Sequence, residues 1–464
     1  MKRNFKTIAV CTLFVVAMML SPVGCKAEKA APAEEVTEEA VEEAPEEEEE
    51  VAEEYEPVSI EYWNVNTAEF GGPQVEQFIA DFNETNGKNI TVISVSLGNY
   101  MALATGLQAS LVAGLYPGVI QVGYNALNYF AENFPQYTDP TTIVSEYAPE
   151  DANYLSEKYS PAVLELGKAV NGRDLGIPYS VSAPLLYYNK DIFRAAGLDP
   201  EKPPKTWQDV YDYCAQIKEK TGQYGLYIQS PPDTYSIIPM FLSNGIDDVY
   251  EPDGKGGYKT TFNNEKAVEA WTFLQSLSKN GYNANLAMEE GTGGFMAGEI
   301  GMYLTTSARA SYVANNVDFD AGATMVPTFG DNKLQVCIGG NMLTTFAKTN
   351  NEVLACWEFI KYLLDSKQVN TWVRGTGYLP PTLDAPEDPE GLKPYFDEAP
   401  MLVLAIEERD AYARAWTSWP GPNGMQVDQY LIDMRDAIMI GQEDVATVIE
   451  RTAETIDELI KGEE

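Results

Sequence analysis

Asn64, Asn66, Thr67 and Glu69 follow the first strand-like run of the chain, and Gly123, Tyr124 and Asn125 follow the third. Amides, a hydroxyl, a phenol and a carboxylate at such points can make paired hydrogen bonds to a small polar molecule. The same residue types also make Asx turns or cap the helix that starts at Pro73, so both roles are open. None of the 464 residues is a histidine. That removes Ser-His-Asp and Cys-His nucleophiles and most transition-metal sites. Recognition of a polar molecule remains, as does acid–base work by two carboxylates. With 70 Asp and Glu in the chain, some pair of carboxylates is inevitable, and finding one decides nothing.

Those residues need elements to hold them. Residues 59–65 alternate around Ile60, Tyr62 and Trp63 as a strand. Pro73 opens a helix whose Val75, Phe78, Ile79 and Phe82 fall on one face. A β-branched strand follows over 89–97. A second helix carries Tyr100, Leu103, Leu107 and Leu111 and stops at Gly114 and Pro117, and residues 117–122 form a third strand. This order with short connections predicts a parallel sheet covered on both faces. Ligands of such sheets sit beyond the carboxyl ends of the strands, which is why the residues above are nominated. Further on, 224–228 is a strand, and Ala267, Trp271, Leu274 and Leu277 line a helix. Val353, Trp357, Ile360 and Leu364 mark another, and residues 445–459 form a last amphipathic one. There is no internal repeat.

The length exceeds one ordinary core and predicts two lobes. Residues 1–24 have a basic start and an apolar run of signal-peptide length, too short to span a membrane comfortably. Small residues before Cys25 resemble a bacterial lipobox, in which that cysteine is lipidated, although Pro22 stands where a leucine is usual. Residues 26–57 hold fifteen Glu against Lys26 and Lys29. Such a tract is expected to be an extended, disordered tether. The formal charge of −39 repels phosphate backbones and argues against nucleic acid as a partner. Cys214, Cys337 and Cys356 lie in apolar patterns, so buried free thiols are expected rather than a disulfide.

Residues 175–210 carry the most specific pattern. A short apolar run (Leu185 to Tyr188) leads into a helix closed by Gly197, with Leu198 and Pro200 after it. Pro203 and Pro204 hold the connector, and Thr206 to Asp209 make a capping box. The order Y-N-K-D-x-F-x-x-A-G-L-x-P followed by P-x-T-W-x-D resembles the extracellular solute-binding proteins of ABC importers, in the sugar-binding branch typified by maltose-binding protein. Phe295 to Met302 and the Thr376-Gly-Tyr-Leu-Pro380 turn resemble further elements of that family. The turn before its third strand usually ends in Pro-Asp, whereas here it ends in Pro117-Gly118.

The resemblance implies an α/β, two-lobe periplasmic-binding-protein-like fold, each lobe a parallel-rich sheet flanked by helices, with three hinge crossings. Lobe 1 would be 58–178 plus 340–380, and lobe 2 would be 179–339 plus 381–464. It adds Tyr179 and Ser182 in the first crossing, Ser307 and Arg309 after a lobe 2 strand, and Gly339, Gly340 and Asn341 in the second crossing. Trp416 and Trp419 are expected to be exposed in the cleft. Aromatic rings with fixed amides suit the apolar faces and hydroxyl rim of a pyranose. The implied protein is a non-enzymatic, monomeric lipoprotein without metal or cofactor. It would capture a carbohydrate, an oligosaccharide by preference, for a membrane permease. One alternative ligand is a glycerophosphodiester or other small polar solute, met by Arg309 or Arg414. A surface glycoside hydrolase and a sensor domain are the other classes.

Overall fold

The computed structural model describes residues 56–68, 71–229 and 234–461. The signal-like segment, Cys25, the acidic tract up to residue 55 and Glu69 lie outside the described residues. Twelve strands are present among them: β1 (Val58–Asn64), β2 (Ile90–Ser96), β3 (Val119–Gly123), β4 (Ile177–Ser182), β5 (Pro184–Asn189), β6 (Tyr224–Ile228), β7 (Tyr250–Pro252), β8 (Tyr258–Thr260), β9 (Ile300–Thr306), β10 (Ala321–Thr324), β11 (Val336–Thr345) and β12 (Ala413–Ala415). The helices that matter below are α1 (Gly72–Thr85), α2 (Tyr100–Val112), α3 (Trp207–Thr221), α4 (Asn350–Leu363), α5 (Ser366–Thr376), α6 (Pro400–Tyr412), α7 (Gly424–Met439) and α8 (Val445–Ile460).

Local chemistry explains the helix boundaries. Val75, Phe78, Ile79 and Phe82 are the buried face of α1. Gly197 takes φ 80°, which glycine adopts without a Cβ penalty, and ends the short helix after β5. At α3 the Thr206 hydroxyl accepts from the Asp209 amide at 3.1 Å while Asp209 accepts from the Thr206 amide at 2.9 Å, so two orphan donors are satisfied reciprocally. Val448, Ile449, Thr452 and Ile456 form the buried stripe of α8.

Two main sheets result. The first runs β12-β11-β3-β1-β2, with β4 also paired to β11. Here β1 is parallel to β2 and β3, as the strand–helix–strand order requires, and β11 returns antiparallel to β3 and β4. The second sheet runs β10-β5-β9-β6. It departs from the parallel-rich expectation. Strand β5 is antiparallel to both neighbours, β9 and β10. Only β6 and β9 are parallel there.

Three stretches lie side by side: β4, β11, and the segment at Leu379, which bridges to Val181. Gly340, at φ 116°, sits where this packing is tightest, and a Cβ there would overlap the Ser180 carbonyl. A Cβ on Gly339 would enter the Tyr235 ring. Both glycines therefore serve close backbone and ring approach. Cys214, Cys337 and Cys356 are buried and free, and burial pushes the Cys356 thiol up to about 12.

Candidate ligand-binding site

The ends of β1 and β3 form a polar knot. Gln121 of β3, fully buried, donates to the Tyr62 hydroxyl at 2.6 Å and to Asn66 Oδ1 at 2.9 Å, and accepts from the Val65 amide at 3.2 Å. Asn64 Nδ2 donates to Ser94 at 3.1 Å, and its Oδ1 accepts from the Asn66 amide at 3.1 Å. The structure thus brings Asn64 and Asn66 together but spends these atoms on holding the loop. The turn-forming role that their residue types also permit is the one these bonds express.

The loop after β3 differs. Tyr124, Asn125 and Asn341 are all nearly inaccessible, and the Tyr124 hydroxyl, Asn125 Oδ1 and Asn341 Oδ1 have no hydrogen-bond partner among the described residues. Gly123 is in register with Asn341 of β11, which sets the end of β3, just before Asn125, alongside Asn341. The other end of each amide is anchored. Asn341 Nδ2 donates to the Tyr100 hydroxyl at 3.1 Å, and Asn125 Nδ2 donates to Asp428 of α7 at 3.0 Å. Anchoring one end of an amide fixes where the other points. A buried polar atom left without a partner is costly, which makes these three atoms candidates for contact with a guest.

From Asp428 the network continues to the second sheet. Thr234, beyond β6, donates to its other oxygen at 3.3 Å, and Trp416 Nε1 donates to Thr234 at 3.3 Å. Trp416 meets Tyr235 edge-on at 5.1 Å, and the Tyr235 hydroxyl lies 3.4 Å from Ser182. Ser307, just past the end of β9, has its hydroxyl accepting from the Ala183 amide at 3.2 Å.

Other nominated residues fall elsewhere or behave otherwise. Tyr179 is stacked on Trp372 at 5.3 Å, and Trp372 on Tyr378 at 5.8 Å, within the core around the first sheet. Trp416 and Trp419 were expected to be exposed, yet they are 5% and 1% exposed. Their Pro- and Gly-rich segment is covered by Tyr235 and by Tyr250 of the β7–β8 hairpin, whose ring lies 5.1 Å from that of Trp419. Arg414 is engaged: it donates to Gln335 at 2.7 Å and to Asp248 at 3.1 Å, beside a cavity of about 330 Å³ that also touches Trp416. Arg309 is half-buried and makes no hydrogen bond or ion pair to a described residue, though its charge acts on Tyr187.

Glu408 was not nominated at all. It is fully buried on α6, where Oε1 accepts from the Val326 amide at 2.9 Å and Oε2 has no partner among the described residues. Burial pushes its carboxyl up to about 8, and its charge bears on Tyr187 and Tyr235. In sequence it sits in the run Glu407-Glu408-Arg409, which has the composition of a solvated helix face. Asp428 was equally hidden between Val427 and Gln429. No group of three or more metal-ligating side chains occurs among the described residues.

A chain with two α/β sheets, three adjacent connecting segments and a buried polar site between the sheets has the architecture of a solute-binding protein. It belongs to the bacterial extracellular solute-binding proteins, whose family model matches residues 77–396. It is 29% identical over 340 residues to the sn-glycerol-3-phosphate-binding periplasmic protein UgpB of Pectobacterium atrosepticum, covering 71% of this chain and 74% of the relative. Its fold matches UgpB from Mycobacterium tuberculosis in complex with glycerophosphocholine, with TM-score 0.73 at 19% identity over 87% of this chain and 98% of that one. A maltose-bound protein of T. maritima matches with TM-score 0.72 at 19% identity, covering 87% of this chain and 100% of that one. The fold is therefore the two-lobe periplasmic-binding type. Among the described residues no helix is long and apolar enough to cross a membrane.

Proposed function

We propose that this chain is the substrate-binding component of an ABC importer that captures a neutral, hydroxyl-rich solute of the carbohydrate class, an oligosaccharide by preference, and does no bond-breaking. One observation carries the ligand class. Two of the three unpartnered polar atoms at the site, Asn125 Oδ1 and Asn341 Oδ1, only accept hydrogen bonds. A guest that satisfies them must bring donors, which the hydroxyls of a sugar or of a glycerol unit do and phosphate oxygens do not, so these atoms select a hydroxyl-rich guest. The Asp428 carboxylate beside Asn125 also disfavours an anion. The second reading, a glycerophosphodiester, is favoured by the Arg309 guanidinium, which makes no hydrogen bond or ion pair to a described residue, and by what the UgpB relatives are named for.

Two lobes, 58–178 plus 340–380 and 179–339 plus 381–464, would close on the guest by hinge motion. Adjacency of β4, β11 and Leu379 supports crossings at these places. Lipidation at Cys25 and an acidic tether would hold a monomer at the outer face of a bacterial membrane, near its permease. A thermal-shift screen with maltose, maltotriose, glycerol-3-phosphate and glycerophosphocholine tests the ligand class, because a ligand of the native state raises the midpoint by mass action. The neutral saccharides should raise it and the phosphates should not. The reverse pattern would replace the first reading by the second.

A further inference from the structure

The short helix Leu127–Asn133 continues the loop that carries Tyr124 and Asn125, and it is tied to the irregular stretch between β12 and α7. The Asn128 amide lies in the first turn, where a helix offers it no partner of its own, and it donates to Ser418 Oγ at 2.8 Å. From Nδ2 the Asn128 side chain donates to the Ser418 carbonyl at 2.7 Å and to the Tyr250 hydroxyl at 3.2 Å. Its Oδ1 accepts from the Val170 amide at 2.9 Å, so every polar atom of the side chain is engaged. One turn on, Glu132 accepts from the Gly421 amide at 2.6 Å and Asn133 donates to the Gly421 carbonyl at 3.4 Å. With Asn125 and Asp428 these make one polar seam.

The two sides of the seam are built differently. Trp416 and Trp419 pack their rings on Tyr235 and Tyr250, which fixes the 416–419 stretch to that side. Its bonds to the helix, by contrast, are ones that water can replace. A cavity of about 330 Å³ borders the seam and is lined by Asn128, Tyr250 and Ser418 among others, so water is at hand when the bonds part, and such bonds contribute little net stability each. Tyr124, Asn125 and Asn341 are 1%, 6% and 1% exposed, so a guest reaches them only if something opens. The pair Lys158–Asp384 lies just past the third crossing, where a hinge moves least.

We infer that Asn128 and Glu132, with Ser418 and Gly421, form a clasp that opens as one unit and gates passage of the guest. This rests on the two-lobe importer reading and adds to it the bonds that hold the lobes shut. The four are positioning residues: they act on the guest by setting the population of the open state, from which it leaves.

Hydrogen exchange of the full chain, resolved to single amides by mass spectrometry, tests the clasp without any guest. Ser418→Ala removes the acceptor of the Asn128 amide and touches no bond of Gly421. A clasp that opens as one unit should still exchange the Gly421 amide about fivefold faster in this variant, with amides of β11 unchanged. Ser418→Thr, which keeps the hydroxyl, should restore the parental rate. Acceleration confined to Asn128 would show separate structural bonds and overturn the clasp. Stopped-flow release of maltotriose, with glycerophosphocholine as the second probe, should speed by a similar factor in Ser418→Ala while association changes less than about twofold. Unchanged release would overturn its gating role. Coupled exchange in a protein that binds neither probe would uphold the clasp and instead contradict both readings of the guest.

Discussion

Asn125 donates to the Asp428 carboxylate at 3.0 Å across a sequence separation of 303 residues. Because Thr234 donates to the other oxygen of the same carboxylate, Asp428 ties the loop after β3 in the first sheet to the loop after β6 in the second. It holds one amide of the site while belonging to neither sheet.

Asp428→Ala should therefore act on binding more than on folding. Losing the anchor frees Asn125 to rotate and leaves buried donors unmatched, at a cost of about 1–3 kcal/mol in stability. Affinity for the saccharide found by screening should fall at least tenfold in calorimetric titration. Unchanged affinity would show that Asp428 is only a structural strut.

The two tryptophans of the 412–419 segment are built into packing, so truncation should be felt without ligand. Trp416→Ala removes an indole that touches Tyr235 and bonds Thr234, and Trp419→Ala one that packs on Tyr250. Each should cost about 3–5 kcal/mol, the range for deleting a buried large aromatic, measured by urea unfolding of the apo protein. Apo stability within about 1 kcal/mol of the parent for both would restore the exposed-platform picture.

Much of this architecture could be read before any coordinates. Helix α1, the Thr206–Asp209 box and the Gly197 stop depend on spacing and on neighbours within a few residues. Glycines, prolines and family resemblance pointed to the stretches at β4, β11 and Leu379, which lie side by side. Residues such as Asp428, Glu408 and Tyr235 were not legible, because their roles arise from partners far along the chain: Asp428 and Glu408 look like solvated helix charges until Asn125 and Val326 are placed beside them. The error over Trp416 and Trp419 has the same origin. Pro and Gly around them mark irregular backbone, and irregular backbone is not always open to solvent.

Gly340 offers a test of the backbone account. Gly340→Ala places a Cβ against the Ser180 carbonyl at φ 116°, and should destabilise severely or abolish soluble expression. Gly330→Ala, also at positive φ but with open space around it, should cost only about 1 kcal/mol. Equal midpoints for the two variants would contradict the close approach of β4 and β11.

Glu408 sets a pH dependence. Its folded pKa is raised, to about 8, so the folded state holds a proton that the unfolded chain releases near its ordinary value. The stabilisation is complete below that ordinary value and is lost as pH climbs toward about 8. Tyr187 and Tyr235 are the titratable groups on which its charge bears. Relative to Glu408→Gln, the parent should lose thermal stability progressively between about pH 5 and pH 8. Parallel midpoint curves for the two proteins across that window would show that Glu408 does not titrate as described.

The most direct measurement is calorimetric titration of the saccharide that gives the largest thermal shift into the parent protein and into Asn125→Ala/Asn341→Ala, with mass spectrometry of the sugar afterwards. One-to-one binding to the parent, its loss in the double variant and an intact sugar are the predicted results. Undiminished binding by the double variant, or a cleaved sugar, would contradict an account in which two fixed amide oxygens capture a hydroxyl-rich guest without altering it.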